Sequence, residues 1–162
     1  MKKNEVRKKI VKQMKMNGYA DVEEKDDSTI YAYKVNVPGL LFETSGMMIM
    51  IDYSALSFYG FYDINNRSKK ENLDFISYIN DLNKTALTTR FYTIEDNKIE
   101  FVASYIGLYS RDRFAHFIRL WEHDTINLLN DHQDSLKFFG TDEQVAIQSA
   151  IEYDSMGLTA IA

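Results

Sequence analysis

Apolar and polar positions change period several times along the chain, and each change marks an element. Val6, Ile10, Val11 and Met14 recur at helical spacing among lysines, predicting a helix from about Lys2 to Asn17 that Gly18 stops. The acidic stretch up to Ser28 reads as a loop with room for a short strand at its start. The period then falls to two. In residues 29–37, Tyr31, Tyr33, Val35 and Val37 alternate with Ala32, Lys34 and Asn36 until Pro38–Gly39 breaks the strand. Residues 46–53 (GMMIMIDY) are apolar on both faces as far as Asp52, the pattern of a central strand covered on both sides. In residues 55–63, Leu56, Phe58 and Tyr62 oppose Tyr59 and Phe61.

Helical period returns after Ser68-Lys69-Lys70-Glu71, which has capping-box spacing. The predicted helix runs to about Lys84, with Phe75, Ile76, Ile79, Leu82 and Ala86 as its stripe. Two alternating strands, 88–95 and 97–106, follow around a tight turn at Asp96–Asn97. Ser110 is placed to cap a third helix reaching about Asp131, whose face of Phe114, Phe117, Ile118, Trp121, Thr125, Leu128 and Leu129 is the strongest helical period in the chain. A second capping-box match, Thr141 to Gln144, predicts a short helix to about Tyr153.

Hairpins with grouped helices point to an α+β fold, an antiparallel sheet with helices packed on it. The order is α-β-β-β-α-β-β-α over residues 1–132, with a C-terminal appendage over 133–162. Taken with Ile79-Asn80, Leu82-Asn83, Thr89-Arg90-Phe91, Ile99 to Tyr105 and Phe117-Ile118-Arg119-Leu120-Trp121, this order resembles the YbjN family and its relatives, the type III secretion chaperone-like proteins. The resemblance implies a binding or chaperone-like module and carries over no catalytic residue.

Composition narrows the chemistry. The chain has no cysteine, which removes disulfides, thiol catalysis and thiolate metal sites together. The N-terminus is basic with no apolar run behind it, and no stretch approaches the ~18 apolar residues of a membrane span, so a soluble cytoplasmic protein is expected. Twenty-four acidic residues against nineteen basic ones leave a net charge of −5, which argues against a dedicated nucleic-acid binder. The charge is uneven: residues 1–16 are strongly basic and residues 21–27 acidic.

No diagnostic catalytic, cofactor or metal set emerges. His116 and His123 share a helical face but lie ~10 Å apart along the axis, too far to hold one metal ion unaided, and His132 points to the apolar side. Asp21 to Asp27 lack the glycine and terminal glutamate of a calcium loop. Phosphate-cradling and nucleophile-elbow motifs are missing. What remains is surface. Met48, Met50, Phe58, Tyr59, Phe61 and Tyr62 are the candidate protein interface, against the plainer reading of strands buried on both faces. Lys8, Lys12, Arg111 and Arg113 are the candidate anion patch, the two arginines lying where a helix dipole disfavours cations.

Asn80, Asn83 and Trp121 are read as structural, with Asn83 tying the end of the second helix to the hairpin that follows. The expected function is non-enzymatic protein–protein binding by a homodimer, chaperone-like or regulatory, with no cofactor. The alternative is binding of nucleic acid or another anionic partner through the basic first helix.

Overall fold

The computed structural model describes residues 2–52, 55–65, 73–95 and 98–161. The Ser68–Glu71 capping box and the Asp96–Asn97 turn fall outside them. The elements are α1 (Lys3–Met16), β1 (Asp21–Glu24), β2 (Thr29–Val35), β3 (Thr44–Ile51), β4 (Ala55–Asp63), α2 (Leu73–Thr85), β5 (Arg90–Glu95) and β6 (Lys98–Ile106). There follow α3 (Arg111–Glu122), a π-helical segment (His123–Leu128), α4 (Leu129–Asp131), α5 (Ser135–Phe139) and α6 (Asp142–Ile161). All strand pairs are antiparallel, in the order β1-β2-β3-β4-β6-β5, so the fold is α+β. The acidic stretch does form a strand, β1, at one edge of the sheet.

Helices α1, α2 and α3 bury their stripes in one common core with the sheet. Ile10 and Met14 come from α1, Phe75, Tyr78, Ile79 and Leu82 from α2, and Phe114, Phe117, Ile118 and Trp121 from α3. The stripe of α2 includes Tyr78 in place of the expected Ile76, which is exposed. The sheet answers with every second residue, including Ile30, Ile49, Phe58, Ile99 and Phe101. Phe58 packs its ring 4.8 Å from Phe117 and 5.8 Å from Trp121, and Phe101 lies 5.6 Å from Trp121. Trp121 is thus buried between two strands. Gly60 makes room for the Phe101 ring, which a Cβ at that position would strike.

Burial strictly alternates along β3, so the strand is covered on one side only. Its two-sided apolar pattern misleads because the open face also carries methionines. The core also extends past residue 132. Phe138 is buried against Phe75 at 5.0 Å, and the Ser135 Oγ lies 2.7 Å from the Tyr78 hydroxyl. Beyond Gly140, α6 begins with the expected reciprocal cap: the Gln144 N–H donates to Thr141 Oγ1 and the Thr141 N–H to Gln144 Oε1.

Two polar contacts fix the loop between α2 and β5. Asn83 Nδ2 donates to the Phe91 carbonyl at 3.0 Å while its Oδ1 accepts the Phe91 N–H at 2.9 Å. Asp124, fully buried in the π-helical segment, accepts the backbone N–H groups of Leu87, Thr88 and Thr89 at 2.8–3.1 Å, with His123 Nδ1 at 3.1 Å. Burial alone would raise the Asp124 pKa, but these donors together hold it below the ordinary aspartate value. Side chains also serve carbonyls of the same stretch, where the wider turn departs from α geometry. Thr125 Oγ1 donates to the Trp121 carbonyl at 2.9 Å and Asn130 Nδ2 to that of Ile126 at 2.8 Å. Ser110, by contrast, places no side-chain cap on α3, and its own N–H donates to the Tyr105 hydroxyl at 3.1 Å.

Replacing Asn83 with Ala is expected to cost about 1–3 kcal/mol, because both Phe91 backbone groups lose their partner. A thermal melt indistinguishable from that of the unmodified protein would refute the clamp. For Asp124 the folded pKa is depressed, so its stabilisation is complete above about pH 5 and is lost as pH falls below about 4. Asp124→Asn should therefore lower stability at neutral pH by about 2–4 kcal/mol and flatten the acid limb of a stability–pH profile. An unchanged acid limb would show that the carboxylate charge contributes nothing.

Candidate functional site

A side-chain period of two sends half of the strand residues away from the helices. The strand register lines these up in rows. One row crosses all six strands as Glu23, Tyr31, Met48, Tyr59, Val102 and Arg90. Beside it, Asp21 pairs with Tyr33 and Tyr33 with Gly46, while Phe61 pairs with Glu100 and Glu100 with Tyr92. On the other flank, Met50 stands between Thr29 and Ser57. Tyr33, Met50, Phe61 and Tyr92 are 53%, 43%, 61% and 51% exposed, high values for large apolar or aromatic side chains. Among the described residues, none of the helices packs its buried stripe on this face.

The face is shaped as well as apolar. Gly46 has no side chain, and the Tyr33 ring lies over it so closely that a Cβ there would come within 2.8 Å. Around this dip, Tyr31, Met48, Tyr59, Phe61 and Glu100 line a shallow concavity of about 500 Å³. Cations flank the rings: Lys25 Nζ stands 5.2 Å from the Tyr31 ring centre and Lys98 Nζ 5.3 Å from that of Phe61. Asp21, Glu23 and Glu100 stand on the same face, and Arg90 ends its central row at β5, so the margin carries both signs of charge.

The six candidate interface residues divide between the two faces. Met48, Met50, Tyr59 and Phe61 lie on the open face. Phe58 and Tyr62 do not: Phe58 is 0% exposed, and Tyr62 packs at 4.2 Å on Phe42 and 5.1 Å on Phe101 in the core. Burial pushes the Tyr62 phenol well above its ordinary pKa. The reason is parity, since even-numbered residues of β4 point inward and odd-numbered ones outward. Tyr31, Tyr33 and Tyr92 complete the open face, and the alternation of their strands was the available signal.

The candidate anion patch also divides. Lys12 and Arg111 line one groove between α1 and the start of α3, together with Lys9, Gln13, Met16 and Tyr109. Lys8 is exposed on α1 but does not line it. Arg113 turns away, 5.7 Å from the centre of the Tyr105 ring, with Nη2 donating to the Ile106 carbonyl at 3.4 Å. Residues two apart on a helix do not face the same way, so Arg111 and Arg113 cannot serve one site. Elsewhere on α1, Arg7 meets the acidic segment, pairing with Glu24 at 3.5 Å and Asp27 at 2.9 Å.

Of the other residues singled out, Asn80 is exposed and takes no part in the Asn83 clamp. His116 is exposed, and the His132 ring packs edge-on against Tyr78 at 4.7 Å. Among the described residues no group of three metal-ligating side chains forms, and no helix is long and apolar enough to cross a membrane. Pattern reading passed over Asp124. Its signal was a lone acidic residue at the edge of the α3 apolar sector, where a charge must find buried partners.

Six antiparallel strands with this order of helices form a YbjN-like α+β fold. The solved structure of YbjN from E. coli, a proposed transcription regulator, matches with a TM-score of 0.58 over 82% of this chain and 93% of that one. Sequence identity is 14%, so the likeness is one of fold. No protein-family model and no curated protein matches the chain.

Parity makes a direct comparison possible on β4. Phe58→Ala should cost about 3–5 kcal/mol by emptying a packed core position. Phe61→Ser, three residues further on, should leave stability within about 0.5 kcal/mol. Denaturant melts of the two variants that agreed with each other would overturn the assignment of faces.

Proposed function

We propose that the protein is a non-enzymatic binding module, chaperone-like or regulatory, that holds a protein partner on the open face of its sheet. The observation that carries this reading is the exposure, on one face of the sheet, of Tyr33 on β2, Met50 on β3, Phe61 on β4 and Tyr92 on β5. Such a surface is costly to leave in water, and aromatic and methionine side chains are the ones enriched at protein interfaces. Methionines adapt to partners of varied shape, as a chaperone-like role requires. The fold shared with YbjN, a proposed regulator, and the sequence resemblance to type III secretion chaperone-like proteins lie in the same direction.

The test is a comparison of two full-length variants in affinity capture. Phe61→Glu places a charge in the middle of the face, whereas Leu73→Glu places one at an exposed position on α2. A partner kept by the Leu73 variant and lost by the Phe61 variant is expected. Equal retention by both would exclude the open face.

Binding of nucleic acid through α1 is the other reading, and one observation favours it: Lys9, Lys12 and Arg111 share a groove. The net charge of −5 weighs against it. Failure to retain DNA or RNA on a filter at low salt would remove it, because phosphate binding is strongest there.

A further inference from the structure

A second concavity lies on the helix side of the sheet, where the end of β2 meets the π-helical turn. Even-numbered residues of β2 point toward the helices, so Lys34 faces α3. Its Nζ lies 2.9 Å from Glu122 Oε1 and 5.4 Å from the centre of the buried Tyr19 ring, which fixes the lysine in a neutral ion pair. Beside this pair opens a groove of about 600 Å³, within the range of small-molecule sites. Arg119, His123 and Asn127 line it at steps of four along the helix, and Val37, Leu40 and Ile126 give it an apolar wall.

His123 gives the groove its chemistry. Its Nδ1 stands 3.1 Å from Asp124 Oδ1, and the loop N–H groups of Leu87, Thr88 and Thr89 hold that carboxylate in place. A buried charge therefore orients the ring: Nδ1 donates inward, and Nε2 is left for the groove. The π-helical segment begins at this same residue, and such turns are rare and frequent at functional sites.

Lys34 and Glu122 cancel, whereas Arg119 is exposed and makes no ion pair among the described residues. The groove thus presents one uncompensated guanidinium, a planar fork that fits the oxygens of a carboxylate or phosphate. One helical turn away, Nε2 donates when the imidazole is protonated and otherwise accepts from a protonated phosphate oxygen. We infer that this groove binds a small organic anion, its carboxylate or phosphate head held by Arg119 and His123 Nε2 and its apolar body laid against Val37, Leu40 and Ile126. The groove belongs to the helix side of β2, so this site and the open-face reading stand or fall separately.

Phenyl phosphate and phenylacetate, titrated separately into the full-length protein, test the site and distinguish the two head groups. The readout is the NMR signals of the histidine rings, that of His123 being assigned by its loss in His123→Gln. At least one probe should shift the His123 signal saturably and leave His116, which is exposed and outside the groove, unmoved. The tighter probe names the head group. Arg119→Gln, at an exposed position, should weaken that probe by about tenfold or more, the loss of one charge-assisted contact. Lys12→Gln, which removes a cation from the separate α1–α3 groove, should leave its affinity unchanged. A His123 signal that neither probe shifts saturably would overturn the inference. So would full affinity in Arg119→Gln, or an equal loss in Lys12→Gln, which would mark the binding as general attraction of charge. Inorganic phosphate that bound as tightly as phenyl phosphate would overturn the role of the apolar wall.

Discussion

An antiparallel sheet has two faces, and the helices of this chain cover one. That constraint organises the rest of the molecule. Ile49, Phe58 and Phe101 must be large and apolar because they share one core with the stripes of three helices, and Gly60 must be small because the Phe101 ring lies against it. The same alternation obliges Met48, Tyr59 and Phe61 to stand on the opposite side, with no helix among the described residues to shield them. A sheet covered on both sides would have turned these residues into packing. Here they become a surface, and the difference between core and binding face on β4 is a difference of one residue in the chain.

The helices themselves are held in register with the sheet by polar contacts rather than by apolar area alone. Apolar packing is non-directional, so it tolerates small shifts of a helix along the sheet. The Asp124 carboxylate does not, since three consecutive N–H groups of the α2–β5 loop converge on it. It ties the α3 end of the core to the loop that launches β5, and the π-helical turn sets the carboxylate where the loop can reach it. A buried charge held this way is costly to lose, which gives the loop one geometry.

The order of elements was legible because hydrophobic period reports it directly: 3.6 for α1, α2 and α3, and two for β2, β4 and β6. Where the pattern failed, the physics is identifiable. β1 is four residues, three of them acidic, and owes its conformation to pairing with β2 rather than to any apolar run. In β3, methionines on the open face imitated burial. Phe58 and Phe61 are chemically alike, so composition could not separate interface from core, although the parity of the strand could. Asn83 was readable as a polar residue in a packed sector. Asp124 was less so, because its partners are backbone N–H groups, which leave no mark in the identity of residues 87–89.

The Asn83 clamp has a bearing on how the sheet can grow. β5 is an edge strand, and the peptide groups of Phe91 are those a further strand would seek. The Asn83 side-chain amide offers one donor and one acceptor to them, so it acts as a single residue of a missing seventh strand. At the far edge, β1 presents Asp21, Glu23 and Glu24, whose charges repel a similar strand. Both margins are therefore discouraged from adding strands. A chain that keeps its sheet finite in this way can expose an aromatic face without stacking edge to edge into aggregates.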